Sequence, residues 1–233
     1  MIRESKTNLN TFQPTTLADS LGARLRADLS DGGFVPGETV SIRRIAEREG
    51  VSVIPARDAL RGLVGAGALQ FRDSRTIVVP EIDAGTLSEL RCARIAVEGE
   101  LARRAAMGID AVTLASLEAL DEEVNDAVRS GDVTAYMRAN RAFHFTLYEA
   151  ANAPLLTELA ETLWLRVGPS MGIVCHALSG TLPEQDNHAA ALSALASRDA
   201  AALGHAIEAD ITQGLDMIED HLSRNVQMPG GPQ

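Results

Sequence analysis

The chain reads as mostly α-helical: an N-terminal winged helix-turn-helix of three helices and a β-hairpin wing, followed by an antiparallel all-α bundle of about six helices. Three observations predict this. Residues 41–61, SIRRIAEREGVSVIPARDALR, place apolar residues at helical spacing on both sides of a turn containing glycine. Two extendable stretches, Gln70 to Arg72 and Thr76 to Val79, flank a polar Asp73-Ser74-Arg75 turn. From residue 82 onward only short breakers interrupt helical periods, and no strand signal of any length occurs.

Residues 14–80 form the first expected domain. Thr16 suits the cap of a helix in which Leu17, Leu21, Leu25 and Leu29 repeat every four residues, and Gly32-Gly33 stops it. Pro36-Gly37 makes the connecting turn. Ser41 caps a second helix with Ile42, Ile45 and Ala46 on its apolar side, and Gly50 takes the left-handed conformation that ends it. Ser52 offers a new N-cap, Pro55 suits only a first turn, and Ala56, Ala59, Leu60, Leu63 and Val64 form the buried stripe. Arg57 and Arg61, four apart, share the opposite face. Gly65 to Leu69 reads as a small, flexible link to the wing, whose tip carries Arg72 and Arg75.

Residues 82–225 form the second expected domain, with helices at about 84–107, 110–129, 132–151, 153–177, 183–197 and 199–224. The links between them, such as Gly108, Ser130-Gly131-Asp132, Asn152-Ala153-Pro154 and Ser179-Gly180, are short enough to make neighbouring helices antiparallel. Residues 1–13 and 226–233 are expected to be flexible.

Composition bounds the function. With 233 residues and 45% apolar content the chain can bury two cores, and with 3% aromatics those cores must be aliphatic. No run of 18 apolar residues occurs and the N-terminus has no apolar stretch of signal-peptide type, so a cytoplasmic protein is expected. Cys92 and Cys175 lack metal-type spacing and read most simply as buried thiols. Residues 1–80 hold 11 Lys and Arg against 9 Asp and Glu, net +2, while the remainder holds 10 against 23, net −13. A net positive balance is thus confined to the N-terminal part, where it suits phosphates, and the acidic remainder disfavours an anionic membrane as partner.

Residues 16–80 resemble the winged helix-turn-helix of the GntR family of bacterial transcription regulators, through Pro36-Gly37-Glu38 and the run from Gly50 to Gly67. The resemblance implies DNA contacts from Arg43 ahead of the second helix, from Ser52 and Pro55 at the start of the recognition helix, from Arg57 after it, and from the wing. Where the family pattern has an Arg-Thr pair this chain has Val53-Ile54, so a guanine-reading arginine is replaced by side chains suited to thymine methyls. Arg44, Arg61, Arg72 and Arg75 complete the candidate DNA face. The alternative for any single arginine is an ordinary solvated surface group.

The second segment resembles the FCD ligand-binding domain of the FadR-like branch, through Arg94-Ile-Ala-Val-Glu98, Arg141-Ala-Phe-His144, Ala150 to Leu156, and His188 with Leu192, Leu195 and Asp199. In many members an Asp and a His four apart, with two further histidines on the last two helices, hold a divalent metal beside a small carboxylate effector. Carried over residue by residue, the set is Asn140, His144, His188 and Asp210, with Asn in place of the usual Asp and Asp in place of the last His. Two imidazoles, a carboxylate and an amide oxygen suit Zn, Ni or Mn. A His pair bridged by hydrogen bonds to Asp and Asn would satisfy the same groups without an ion. Arg94 has two open roles, gripping an effector carboxylate or pairing with Glu98 one turn on.

Two functional classes follow. The first is a homodimeric, metabolite-responsive transcription regulator, a repressor in the expected case, that binds a double-stranded operator and a small organic acid. The second is a metal-dependent enzyme using the His and Asp cluster to activate water. No catalytic residue is assigned, because no nucleophile motif, phosphate-binding glycine loop or HExxH helix accompanies the cluster.

Overall fold

The computed structural model describes residues 16–177 and 186–226. The expected flexible N-terminus and C-terminal tail, the Ser179-Gly180 breaker and a helix start at 183 lie outside the described residues, except that the last helix runs to Val226.

Helix α1 (Leu17–Ser30) opens with a capping box in which Thr16 and Asp19 exchange hydrogen bonds. Strand β1 (Thr39–Val40) leads into α2 (Ile42–Glu49), capped by Ser41 and ended by Gly50 at φ 64°, a conformation costly for any residue with a Cβ. Helix α3 (Val53–Gly65) follows with Pro55 in its first turn. The wing strands β2 (Gln70–Phe71) and β3 (Ile77–Val78) pair antiparallel, Phe71 opposite Ile77. β1 adds to the free edge of β3, so the wing is a three-stranded sheet in the order β1-β3-β2 rather than a lone hairpin. A two-residue strand is too short to leave a periodic signal, which is why the sequence did not show it.

The bundle comprises α4 (Ala84–Ala105), α5 (Ala111–Ser130), α6 (Val133–Glu149), α7 (Pro154–Ala177), α8 (Asn187–Ser197) and α9 (Ala200–Val226). Asp83, Asp110, Asp132 and Asp186 cap four of these helices by accepting a backbone N–H three residues on. Among the described residues no helix is long and apolar enough to cross a membrane.

Two apolar cores form. The bundle core is built on Leu101, Leu117, Phe143, Leu147, Leu203 and Ile207. The N-terminal core gathers Leu21, Leu25 and Leu29 of α1 against Ala56, Leu60 and Leu63 of α3. Leu17, at the helix end, is left exposed. Ala68 and Leu69, expected in a flexible link, are both buried in the N-terminal core, so the link is packed. Cys175 is buried but Cys92 is exposed, because its position on α4 faces away from the bundle.

The N-terminal core also contains Leu165, which belongs to α7 of the bundle. The C-terminal end of α1 lies directly on this helix. A methyl group added at Gly172 would stand 2.9 Å from Gly32 Cα, and one at Gly168 would strike the Leu29 carbonyl oxygen and lie 2.7 Å from Ser30 Cα. Backbone therefore meets backbone, which only glycine permits. Pro169 follows inside α7, where it removes one hydrogen bond from the helix.

Asp31, the C-cap of α1, sits at this junction with Oδ1 buried and no hydrogen-bond partner among the described residues. Burial raises its pKa from the ordinary 3.8; Asp28 adds to the effect, and Arg141 and Arg138 oppose it without cancelling it. A raised carboxyl pKa means that stability is fully present below 3.8 and is lost as pH rises through the folded-state value. Asp31→Asn is therefore expected to stabilise the protein at pH 7, and the gain should disappear as pH falls to 4 or below. Urea unfolding of both proteins across that range checks it, and a gain that persists unchanged at low pH would contradict the burial argument.

Candidate functional site

Helix α3 has two faces. On a 3.6-residue helix Ala56, Ala59, Leu60 and Leu63 fall within an arc of about 100° and are buried, while Val53, Arg57, Arg61 and Ile54 fall within a second arc of about 100° and are exposed. Arg43 and Arg44 on α2 and Arg72 and Arg75 in the wing are exposed as well. Ser52 caps the backbone of α3 in extended conformation, but its hydroxyl makes no cap hydrogen bond, unlike those of Thr16 and Ser41. Among the described residues none of these six arginines has an ion-pair partner. Arg24 and Arg48, by contrast, are engaged with Glu49 and Asp28. A surface with free guanidinium groups around the start of a helix is suited to a polyanion with a groove.

The second assembly is buried in the bundle. His144 on α6, His188 on α8 and Asp210 on α9 bring their ligand atoms within 4.8 Å of one another. His144 Nε2 lies 3.0 Å from Asp210 Oδ2, and His188 Nε2 lies 3.9 Å from Asp210 Oδ1. Both Nε2 atoms are buried without a hydrogen-bond partner among the described residues. Asn140 stands one turn before His144 on α6, half-buried.

The other ring nitrogens are held from behind. Glu98 on α4 is fully buried and accepts hydrogen bonds from Arg94 Nε and Nη2 at 2.6 and 3.1 Å, from Trp164 Nε1 at 2.7 Å and from the Tyr148 hydroxyl at 2.8 Å. The Tyr148 oxygen is also 3.0 Å from His144 Nδ1. Because the Tyr148 proton goes to Glu98, His144 Nδ1–H must donate to Tyr148, which leaves Nε2 as a lone pair facing the cluster. His188 Nδ1 is likewise 3.2 Å from Asp121 Oδ1 on α5, so its proton goes there and its Nε2 is also free. In that tautomer the 3.0 Å approach of His144 to Asp210 sets a lone pair against a carboxylate. A cation, either a shared proton or a metal ion, is what such an arrangement lacks electrostatically.

The charges agree. Burial raises the pKa of Tyr148, with Glu98 adding to it, so the phenol stays protonated. Burial works against a charge on Arg94, but the Glu98 carboxylate overrides it and holds the guanidinium pKa up. Burial likewise opposes the Asp210 charge, yet a hydrogen bond from His144 and the positive charges of His144, His188 and Arg94 hold its carboxyl below the ordinary carboxylate range, which is the form of the cluster in which a proton bridges His144 and Asp210. Burial would lower the pKa of His188, but Asp121 and Asp210 reverse that and raise it.

A cavity of about 100 Å³ adjoins the cluster, lined among others by Arg94, Tyr136, Asn140, Met171, Asp210 and, from α1, Ser30. Its volume is small beside typical metabolite sites of about 300–1,000 Å³. His144 and His188 do not line it, so Asp210 is the member common to cluster and cavity.

The structure thus brings His144, His188 and Asp210 together, lines the cavity with Asn140 and Asp210, and places Arg94 both on Glu98 and on the cavity. The expected pairing of Arg94 with Glu98 is present, but sequence reasoning missed Glu98 as the acceptor for Tyr148 and Trp164 as well, and missed Asp121. The spacing of Tyr148, four residues after His144, was a usable signal. Asp121, which approaches from α5, left none.

Fold and site together define a DNA-binding regulator: a winged helix with free arginines, joined to a helical bundle with an internal polar site. Residues 17–79 match the gntR family of bacterial regulatory proteins and residues 89–213 match the FCD domain. The chain belongs to the GntR family of DNA-binding transcriptional regulators, in the group that carries an FCD domain. It is 29% identical over 202 residues to the HTH-type transcriptional regulator McbR of Escherichia coli K12, covering 86% of this chain and 91% of that protein. The HTH-type transcriptional repressor RspR of the same organism is 27% identical over 215 residues, 92% of each chain. The solved structure of E. coli McbR/YncC superposes with a TM-score of 0.80 at 27% identity, covering 88% of this chain and 98% of that one. A GntR-type regulator from Rhodococcus sp. RHA1, at 22% identity and a TM-score of 0.70, shares the fold.

Proposed function

We propose that the protein is a cytoplasmic, metabolite-responsive repressor that binds its operator as a homodimer, and that its bundle holds a divalent metal ion beside a small organic-acid effector. The observation that carries the metal reading is the pair of buried, unpartnered Nε2 atoms of His144 and His188 directed at the Asp210 carboxylate. These donors fit Zn, Ni or Mn, with each imidazole fixed through its other nitrogen by Tyr148 or Asp121. Asn140 is the proposed fourth protein ligand. When bound, such an ion supplies a Lewis-acid site for a carboxylate oxygen.

The chain's own residues do the rest. Asp210 links the cluster to the cavity, the apolar wall with Met171 excludes water, and Arg94 presents to the cavity the part of its guanidinium not taken by Glu98. The small volume supports a small effector. Ser30 on the cavity wall gives bound effector a route to α1 of the DNA-binding part, and the effector acts by favouring one arrangement of the paired recognition helices over another. Repression is supported by the likeness to RspR, and the homodimer by the two-fold symmetry of operators. The relatives are regulators, which favours this reading over the metal-dependent enzyme.

The experiment is metal analysis of the purified chain beside His144→Ala, followed by titration of the metal-free protein with Zn, Ni and Mn. About one equivalent of metal per chain in the parent and less than a tenth of that in the variant is expected. Negligible metal and no titratable binding in both would retire the metal reading, and the cluster would then be a proton-bridged His–Asp pair.

A further inference from the structure

Recognition helices are usually discussed through their polar side chains, yet the first two residues of α3 are Val53 and Ile54, exposed by 40% and 67%. Neither belongs to the N-terminal core. Ile54 lies about 200° around the helix from the fully buried Ala56, so the core does not account for it. In the helix-turn-helix geometry the N-terminal residues of the second helix stand at the base edges, so these two side chains occupy the reading position ahead of the arginines that follow on the same arc. Arg57 and Arg61 lie on the same arc, and Arg43 and Arg44 of α2 are exposed and without ion-pair partners among the described residues, which gives the surrounding surface the charge that draws phosphates to it.

An aliphatic side chain cannot accept or donate a hydrogen bond. In the major groove the apolar feature that distinguishes one base pair from the others is the C5-methyl group of thymine. We propose that Val53 and Ile54 read thymine methyls, so that the half-site is specified at the helix start by apolar contact rather than by arginine on guanine. The inference rests on the DNA-binding function of the winged helix and is independent of the metal and effector readings. The free Ser52 hydroxyl beside them is placed to meet a phosphate, which fixes the depth of the helix without adding sequence information.

The chemistry allows a test in which one methyl is removed from the DNA alone. Binding sites are selected from a random-sequence duplex pool with the full chain, and each thymine of the strongest site is replaced singly by deoxyuridine, which pairs identically but lacks the methyl. One or two thymines per half-site are expected to weaken binding by about three- to tenfold when replaced, the scale of one buried methyl. For the paired variant Val53→Ala, Ile54→Ala the same replacements should cost less than twofold. Both side chains are exposed, so the variant keeps the fold, and thermal unfolding verifies that. If no replacement moves the affinity of the parent by more than twofold, or if the variant loses as much as the parent, the proposal fails. Failure to select any site would tell against DNA binding itself, an outcome distinct from selected sites that ignore the methyl.

Discussion

Glu98→Ala is expected to destabilise the protein by about 3–5 kcal/mol, the scale found when one member of a buried ion pair is removed. The residue is fully buried and is the acceptor for Arg94, Tyr148 and Trp164. Its loss leaves a buried guanidinium and an indole N–H unpaired together and the Tyr148 hydroxyl with His144 Nδ1 alone, and burial adds a desolvation penalty for each orphaned group. For a chain of this size the midpoint of thermal unfolding should fall by roughly 6–20 °C. The paired change Arg94→Met, Glu98→Met removes both charges and should recover much of the loss, since the pair as a whole contributes less than either orphan costs. Urea unfolding of the parent, the single variant and the pair decides. A single variant within about 1 kcal/mol of the parent would mean that water reaches Arg94 and that the network is not closed.

Gly168→Ala is the second large effect. On α7 the added methyl meets the Leu29 carbonyl and the Ser30 backbone, and backbone cannot rotate out of the way as a side chain would. Overpacking of this kind costs about 1–3 kcal/mol, and here the relief available is displacement of α1 from its seat. DNA affinity should therefore change along with stability, although residue 168 is remote in sequence from the recognition helix. Gly22→Ala on α1 is the matched control, because a methyl there meets nothing within 4 Å. It should stabilise by about 0.5–1 kcal/mol through helix propensity alone. Opposite signs for the two glycines, in urea unfolding and operator titration, are the expected result; equal signs would show that the α1–α7 contact is loose.

Much of the fold was legible in the sequence because it is local. Caps such as Thr16, Ser41, Asp110 and Asp132 and the left-handed stop at Gly50 are set within a few residues, and the bundle helices fall within about three residues of their expected bounds, apart from the start expected at 183, which lies outside the described residues. The site was legible where spacing or likeness to a family carried it: His144, His188 and Asp210 come from three helices yet meet. What was not legible depends on how helices approach one another. Besides Arg94 one turn before it, Glu98 gathers donors from α6 and α7, and Asp121 reaches His188 from α5; no spacing along the chain encodes these contacts between helices. The same holds for β1, whose two residues form a strand only because β3 has a free edge, and for Leu165, whose neighbours in sequence belong to a different core.

That last residue bears on how proteins of this build can be recombined. The DNA-binding part is not a separate module on a linker: it borrows a leucine from the bundle and rests its first helix on bundle glycines. A chimaera that exchanged only residues 16–80 would inherit the host's residues at 165, 168 and 172. Heads and bundles of this type are therefore expected to vary together at that seam, and a functional graft needs those three positions of α7 to travel with the winged helix.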